Sequence, residues 1–195
     1  TALVVIAVIT AIMVFALRNA KLDYDFEKFF PTNDPELERY NAFRKKFGGD
    51  NDFLMIGIPR EAGIYNVELL SKVDSLTSAL ERLDNIKKVS SPTRLTEPII
   101  TPIGVFQTPY LRFESDSTLT ADSTRIAQDP RIHGTFFSED GKAMLMLIDA
   151  GTGLSKLKSD ALLKDVEQAI KASGLQDVQL AGRIHGQFHY IRMML

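Results

Sequence analysis

The three histidines carry most of the side-chain chemistry this chain offers. His185-Gly-Gln-Phe-His189 sets two imidazoles at i and i+4, which on a helix share a face and can converge on one metal ion. His133 is the third. The segment lacks the glutamate of a His-Glu-x-x-His zinc motif, and no cysteine or carboxylate cluster lies beside it, so a polar junction is a plainer reading than zinc. Asp23, Asp25 and Glu27 alternate along an extended stretch and read as an exposed strand face rather than a cation site. Ser123 and Ser155 have no base at a recognisable spacing, and no GxSxG, P-loop or Rossmann fingerprint is present. The chain has no cysteine and therefore no thiolate chemistry. The expectation is no catalytic residue, no cofactor and no resident metal.

The elements that would position these residues begin with an apolar run, Thr1 to Leu17, free of charge, glycine and proline. At about 1.5 Å per residue it covers most of a ~30 Å hydrocarbon core. It reads as a transmembrane helix over residues 1–18. A signal peptide cut after Val14-Phe15-Ala16 and a buried soluble helix are the alternatives, although that cut would fall inside the run itself. Thr1 in place of Met, with no basic segment before the run, leads us to expect a piece of a longer protein.

The rest is polar and patterned, as expected of a folded domain over 19–184. Leu22 to Phe26 alternates like a half-buried strand. Asn33, Asp34, Pro35 and Glu36 are helix-start residues, and Gly48-Gly49 stops the helix that follows. Phe53 to Ile58 is a continuous apolar strand. Leu69, Val73, Leu76, Leu80 and Leu83 mark the inner face of a helix over 67–83. Ile86 to Ser90, Ala143 to Ile148 and Asp177 to Arg183 read as strands, and Leu157 to Ala172 as a helix. A turn at Ser138-Glu139-Asp140-Gly141 joins a strand at 134–137 to the one starting at Ala143.

The resulting order is β-α-β-β-α-β, the ferredoxin-like split βαβ unit of the α+β class. In that topology the first and third strands are central, and these are the continuously apolar ones. A proline-rich insertion over 92–130 interrupts the order. Its first part, 92–119, reads as irregular, followed by a short helix at Ala121 to Gln128. Ile99, Ile103, Phe106, Tyr110 and Phe113 make the insertion too apolar for a solvated linker. They are the candidate surface for a substrate path or a partner; a cap over the domain's own core is the competing reading.

The segment LDYDFEKFFPTNDPELERYNAFRKKFGGDNDFLMIGI resembles the part after the first membrane helix in the MMPL/Patched-like branch of the resistance–nodulation–division (RND) transporter superfamily. DPRIHGTFFSEDGKAMLMLI resembles a later hairpin of that family, and AGRIHGQFHYIRMML, with residues 185–195, resembles its exit toward a second membrane helix. The resemblance implies the first membrane helix and first porter domain of a proton-driven exporter in a bacterial inner membrane. It implies apolar or amphipathic, lipid-like substrates and an extracytoplasmic domain. Partners would be the lipid bilayer, the rest of the transporter including its second porter domain, and further copies of the chain. A net charge of −2 with mixed signs argues against nucleic acid. The apolar run has no titratable group, so proton coupling would lie elsewhere in the parent protein. The alternative function is a single-pass, membrane-anchored binding or sensor module with a ferredoxin-like ectodomain.

Overall fold

The computed structural model describes residues 2–17, 34–47, 53–151 and 154–194. The chain divides into two compact units, Thr1–Phe43 and Arg44–Leu195. The strand expected at 22–26, the acidic series at 23–27 and the Gly48-Gly49 stop lie outside the described residues.

In the first unit, α1 runs from Ala2–Leu17, with no acidic or basic residue in its end turns. The side chains described along it, from residue 2 to residue 15, are all exposed. Its one polar side chain, Thr10, returns its hydroxyl to the Ile6 carbonyl at 2.9 Å. Among the described residues no helix is long and apolar enough to cross a membrane. α1 itself has 16 residues and is about 24 Å long. α2, Pro35–Phe47, starts with proline in its first turn, and the Asp34 carboxylate accepts from the Glu36 N–H at 2.8 Å.

The second unit is α+β, built on an antiparallel four-stranded sheet. Its strands are β1 (Phe53–Pro59), β2 (Ile86–Ser90), β5 (Ala143–Ala150) and β6 (Gln179–Gly182), in the order β2-β5-β1-β6. β5 is antiparallel to both β1 and β2, and β1 to β6. The period of two along a strand separates the apolar runs into faces. Leu54, Ile56, Ile58, Met144, Met146 and Ile148 are fully buried, whereas Met55, Leu145 and Leu147 on the other face are half-buried.

α3 (Val67–Leu80) and α5 (Lys156–Ser173) pack against each other and supply Leu70, Val73, Leu76, Leu163 and Val166 to the core. Asn66 caps α3, accepting from the Leu69 N–H at 3.0 Å. The helix ends earlier than expected, at Leu80 with Glu81 as its C-cap, and Leu83 packs half-buried beyond it. Gly174, at φ 70°, closes α5 in the left-handed conformation. β6 enters α6 (Arg183–Met194) with no loop between them.

Three further expectations are corrected. Residues 92–119 are not irregular: a 3-10 turn at Pro92–Arg94 leads into a hairpin of β3 (Thr96–Thr101) and β4 (Gly104–Pro109). The helix after it, α4 (Asp116–Ala127), starts five residues before Ala121, because the Ser115 hydroxyl caps it by accepting from the Thr118 N–H. The expected strand at 134–137 reduces to single bridges, His133 with Phe137 and Phe137 with Met144. The turn after it is present, with Gly141 at φ 66° and its N–H donating to the Ser138 carbonyl at 3.0 Å.

Candidate functional site

The β3–β4 hairpin is uncharged from Pro98 to Leu111. Pro102 presets the turn and Gly104, at φ 144°, completes it. The Thr101 hydroxyl donates to the Gly104 carbonyl at 2.8 Å. Paired residues share a face, so Glu97 and Thr108, then Ile99 and Phe106, line one side; Pro98 and Gln107, then Ile100 and Val105, line the other. Ile100 is 82% exposed, Ile103 87%, Val105 61%, Phe106 51% and Ile99 43%. Both faces and the tip are therefore apolar and open, with the Glu97 side partly covered.

The base of the hairpin is held by charge. Arg94 grips Asp74 on α3 at 2.5 and 3.1 Å and donates to Ser78 at 2.9 Å. Tyr110 and Leu111, just past β4, are buried, and the Tyr110 N–H donates to the Leu95 carbonyl at 3.0 Å. Asp122 on α4, fully buried, accepts from the Arg112 N–H at 2.7 Å, from Arg112 Nη2 at 2.6 Å and from Arg125 Nη2 at 3.4 Å. Arg125 Nη2 also donates to the Pro109 and Tyr110 carbonyls at 2.7 and 2.8 Å, while its Nε is buried with no partner among the described residues.

A second cluster sits beside it. Asp129 accepts from the Tyr110 hydroxyl and from Arg131 through Nε at 2.8 Å, Nη2 at 2.5 Å and the backbone N–H at 3.0 Å. Arg131 Nη2 also reaches the Tyr110 hydroxyl at 3.0 Å and Glu97 at 3.5 Å. Hydrogen bonds from Arg131, then from Tyr110, hold Asp129 well below the usual carboxylate range. Burial, reinforced by the Asp129 carboxylate, pushes the Tyr110 phenol up to about 12. The same carboxylate raises Arg131.

Between these groups an open cleft of about 330 Å³ is lined by Glu97, Tyr110, Arg125, Gln128, Asp129 and Arg131. The five residues singled out from sequence thus separate. Ile99, Ile103 and Phe106 are on the exposed hairpin, while Tyr110 is buried under it and Phe113 is half-buried against the core. The charged residues of the cleft were missed by the sequence reading. Their signal is the close spacing of Asp122 to Arg125 and of Asp129 to Arg131, downstream of the uncharged stretch that ends at Leu111.

The histidines do meet in part. On α6 the rings of His185 and His189 lie 4.4 Å apart, and Phe188 meets His189 edge-on at 5.5 Å. Burial, then the neighbouring His189, lowers His185 from its ordinary value, against a smaller upward pull from Glu167. Among the described residues no group of three or more His, Cys, Asp or Glu side chains is placed to hold a metal ion. Ser123 spends its hydroxyl on the Thr120 carbonyl at 2.9 Å, and Ser155 stands at the start of α5 without a side-chain cap bond.

Compared with known proteins, the chain matches no family model and no curated relative.

Proposed function

We propose that this chain is the first membrane helix and first extracytoplasmic porter domain of a proton-driven RND-superfamily exporter of the MMPL/Patched-like branch, moving apolar or amphipathic molecules across a bacterial inner membrane. The observation that carries this reading is the sheet order β2-β5-β1-β6. With α3 and α5 as the crossings, it agrees with a ferredoxin-like split βαβ domain, the porter-domain type that the motif resemblance implies. The hairpin and α4 are then an insertion between the second and third strands of that domain.

The exposed apolar surface of α1 supports the membrane part. A helix apolar on all sides is covered by lipid or by other membrane helices, and one of 16 residues is accommodated by local thinning of the bilayer. α1 carries no titratable side chain, so the coupling step belongs to other parts of the transporter. The domain's role is to move with the cycle and gate a path for substrate. α6 would lead the chain back toward the membrane.

The chain has no cysteine of its own, so the test uses the parent protein with every cysteine elsewhere replaced by serine. Lys158→Cys, on the exposed side of α5, in the parent protein should react with a membrane-impermeant maleimide added to intact spheroplasts. The same cells should export a fluorescent lipid analogue, and a proton uncoupler should stop export. Labelling without uncoupler-sensitive export favours the anchored sensor module; protection from the reagent overturns the extracytoplasmic placement.

A further inference from the structure

The polar cleft and the apolar hairpin form one continuous surface. Glu97 lines the cleft and shares a hairpin face with Ile99 and Phe106. That apolar pair lies two residues farther out, about 7 Å along the strand. A ligand filling both would have a polar head and an apolar tail.

The donors and acceptors decide the sign of the head. The Asp129 carboxylate is 11% exposed and already accepts from Arg131 side chain and backbone and from Tyr110. Glu97 faces Arg131 at 3.5 Å and is 32% exposed. The Arg131 side chain is 63% exposed, and among the described residues its bonds leave from Nε and Nη2, so Nη1 is left to donate. Among the described residues Arg125 likewise bonds through Nη2 alone. The Gln128 side-chain amide, also lining the cleft, makes no hydrogen bond among the described residues. Asp129 has its acceptors engaged, Glu97 meets Arg131 only at 3.5 Å and keeps an open oxygen, and the Gln128 amide offers both a donor and an acceptor; the cationic donors left open, on Arg131 and Arg125, are what an oxyanion would take.

We infer that the cleft between β3 and α4 binds the anionic head, phosphate or carboxylate, of an amphipathic molecule whose tail lies on Ile99 and Phe106. This rests on the exporter reading only for the lipid-like class of substrate. It names the head and the place that takes it. The head is fixed by guanidinium donors and the tail adds burial of apolar surface, so neither part alone binds well.

The chain has no tryptophan, so Phe106→Trp introduces a single reporter on the tail surface. The full chain is incorporated in nanodiscs of zwitterionic lipid and titrated separately with hexyl phosphate, inorganic phosphate and hexanol. Hexyl phosphate should shift the emission to the blue saturably, and at least about tenfold more tightly than either of the others. Gln128→Glu, which alters an exposed side chain without removing a bond, should weaken hexyl phosphate about tenfold by placing a like charge beside the head. It should leave the weak response to hexanol unchanged.

Equal response to hexanol would make the surface an apolar patch alone and overturn the inference. Equal affinity for inorganic phosphate would make it a free-anion site and overturn the tail. An unchanged hexyl phosphate affinity in Gln128→Glu overturns the location. Transport is not needed for this titration, so the exporter reading can fail while the cleft binds, and the reverse.

Discussion

At Gly182, one added carbon meets the main chain. A Cβ there would lie 2.3 Å from the Phe53 carbonyl oxygen and 3.2 Å from the Leu54 Cα, and the residue has φ 116°. Both obstacles are backbone of the central strand β1, which has no side chain to swing aside. Gly182→Ala should cost about 3 kcal/mol or more, read as a fall in the denaturation midpoint. Asp122 is the polar counterpart: Asp122→Ala removes the buried acceptor shared by Arg112 and Arg125 and should cost about 2 kcal/mol by the same measurement. Tyr110 and Asp129 give the pH dependence. A folded phenol pushed up to about 12 keeps its proton where the unfolded one, near 10, loses it. That stability is whole below about pH 10 and drains away toward pH 12. The depressed Asp129 works in the opposite sense: its contribution is present above about pH 4 and is lost as the pH falls further. In Tyr110→Phe the alkaline loss should shrink, as followed by denaturant midpoints across pH.

At the scale of elements, legibility depended on how cleanly one period dominated. Leu69, Val73, Leu76 and Leu80 show the helical face of α3, and every one of them is buried. FLMIGI and AMLMLI read as central strands, and the sheet places them side by side. The hairpin was hidden because Ile99 and Ile100 are neighbours on opposite faces, both exposed. A strand apolar on both sides shows no alternation, and Pro98, Pro102 and Pro109 look like breakers although they fall on edge and turn positions. The early start of α4 was hidden by SDST, whose hydroxyls favour caps and turns until Ser115 is seen to be the cap. The clusters around Asp122 and Asp129 showed only their local halves, Asp122 with Arg125 and Asp129 with Arg131; Arg112 and Tyr110 lie 10 and 19 residues away from those carboxylates, and Glu97 lies 34 from Arg131. The exposed hairpin should tolerate change that its base does not. Ile103→Ser and Phe106→Ser should leave stability within about 0.5 kcal/mol. Leu111→Ala, in the buried floor, should lose about 2–4 kcal/mol. Thermal unfolding of the three variants checks both halves.

On the scale of the whole molecule, the contrast is between a unit with a core and a helix with none. The second unit buries apolar side chains from β1, β5, α3, α4 and α5 in one cluster, the arrangement that stabilises a domain in water. α1 shows the reverse: Leu3 is 82% exposed and Phe15 68%, with Val8 and Ile9 at 53% and 52% between them. Such a surface has a large cost in water and none in hydrocarbon. The full chain should therefore float with liposomes in a density gradient and resist alkaline extraction. Ile9→Lys puts an ammonium near the middle of α1 at a cost of about 2.5–3.5 kcal/mol for insertion. It should sharply reduce the extraction-resistant fraction while leaving the thermal transition of the second unit unchanged. If the wild-type chain stays at the bottom of the gradient, α1 is covered by protein and the membrane reading falls. If Ile9→Lys also lowers the second unit's transition, the two units depend on each other for stability, and the loss of flotation no longer reports on lipid alone.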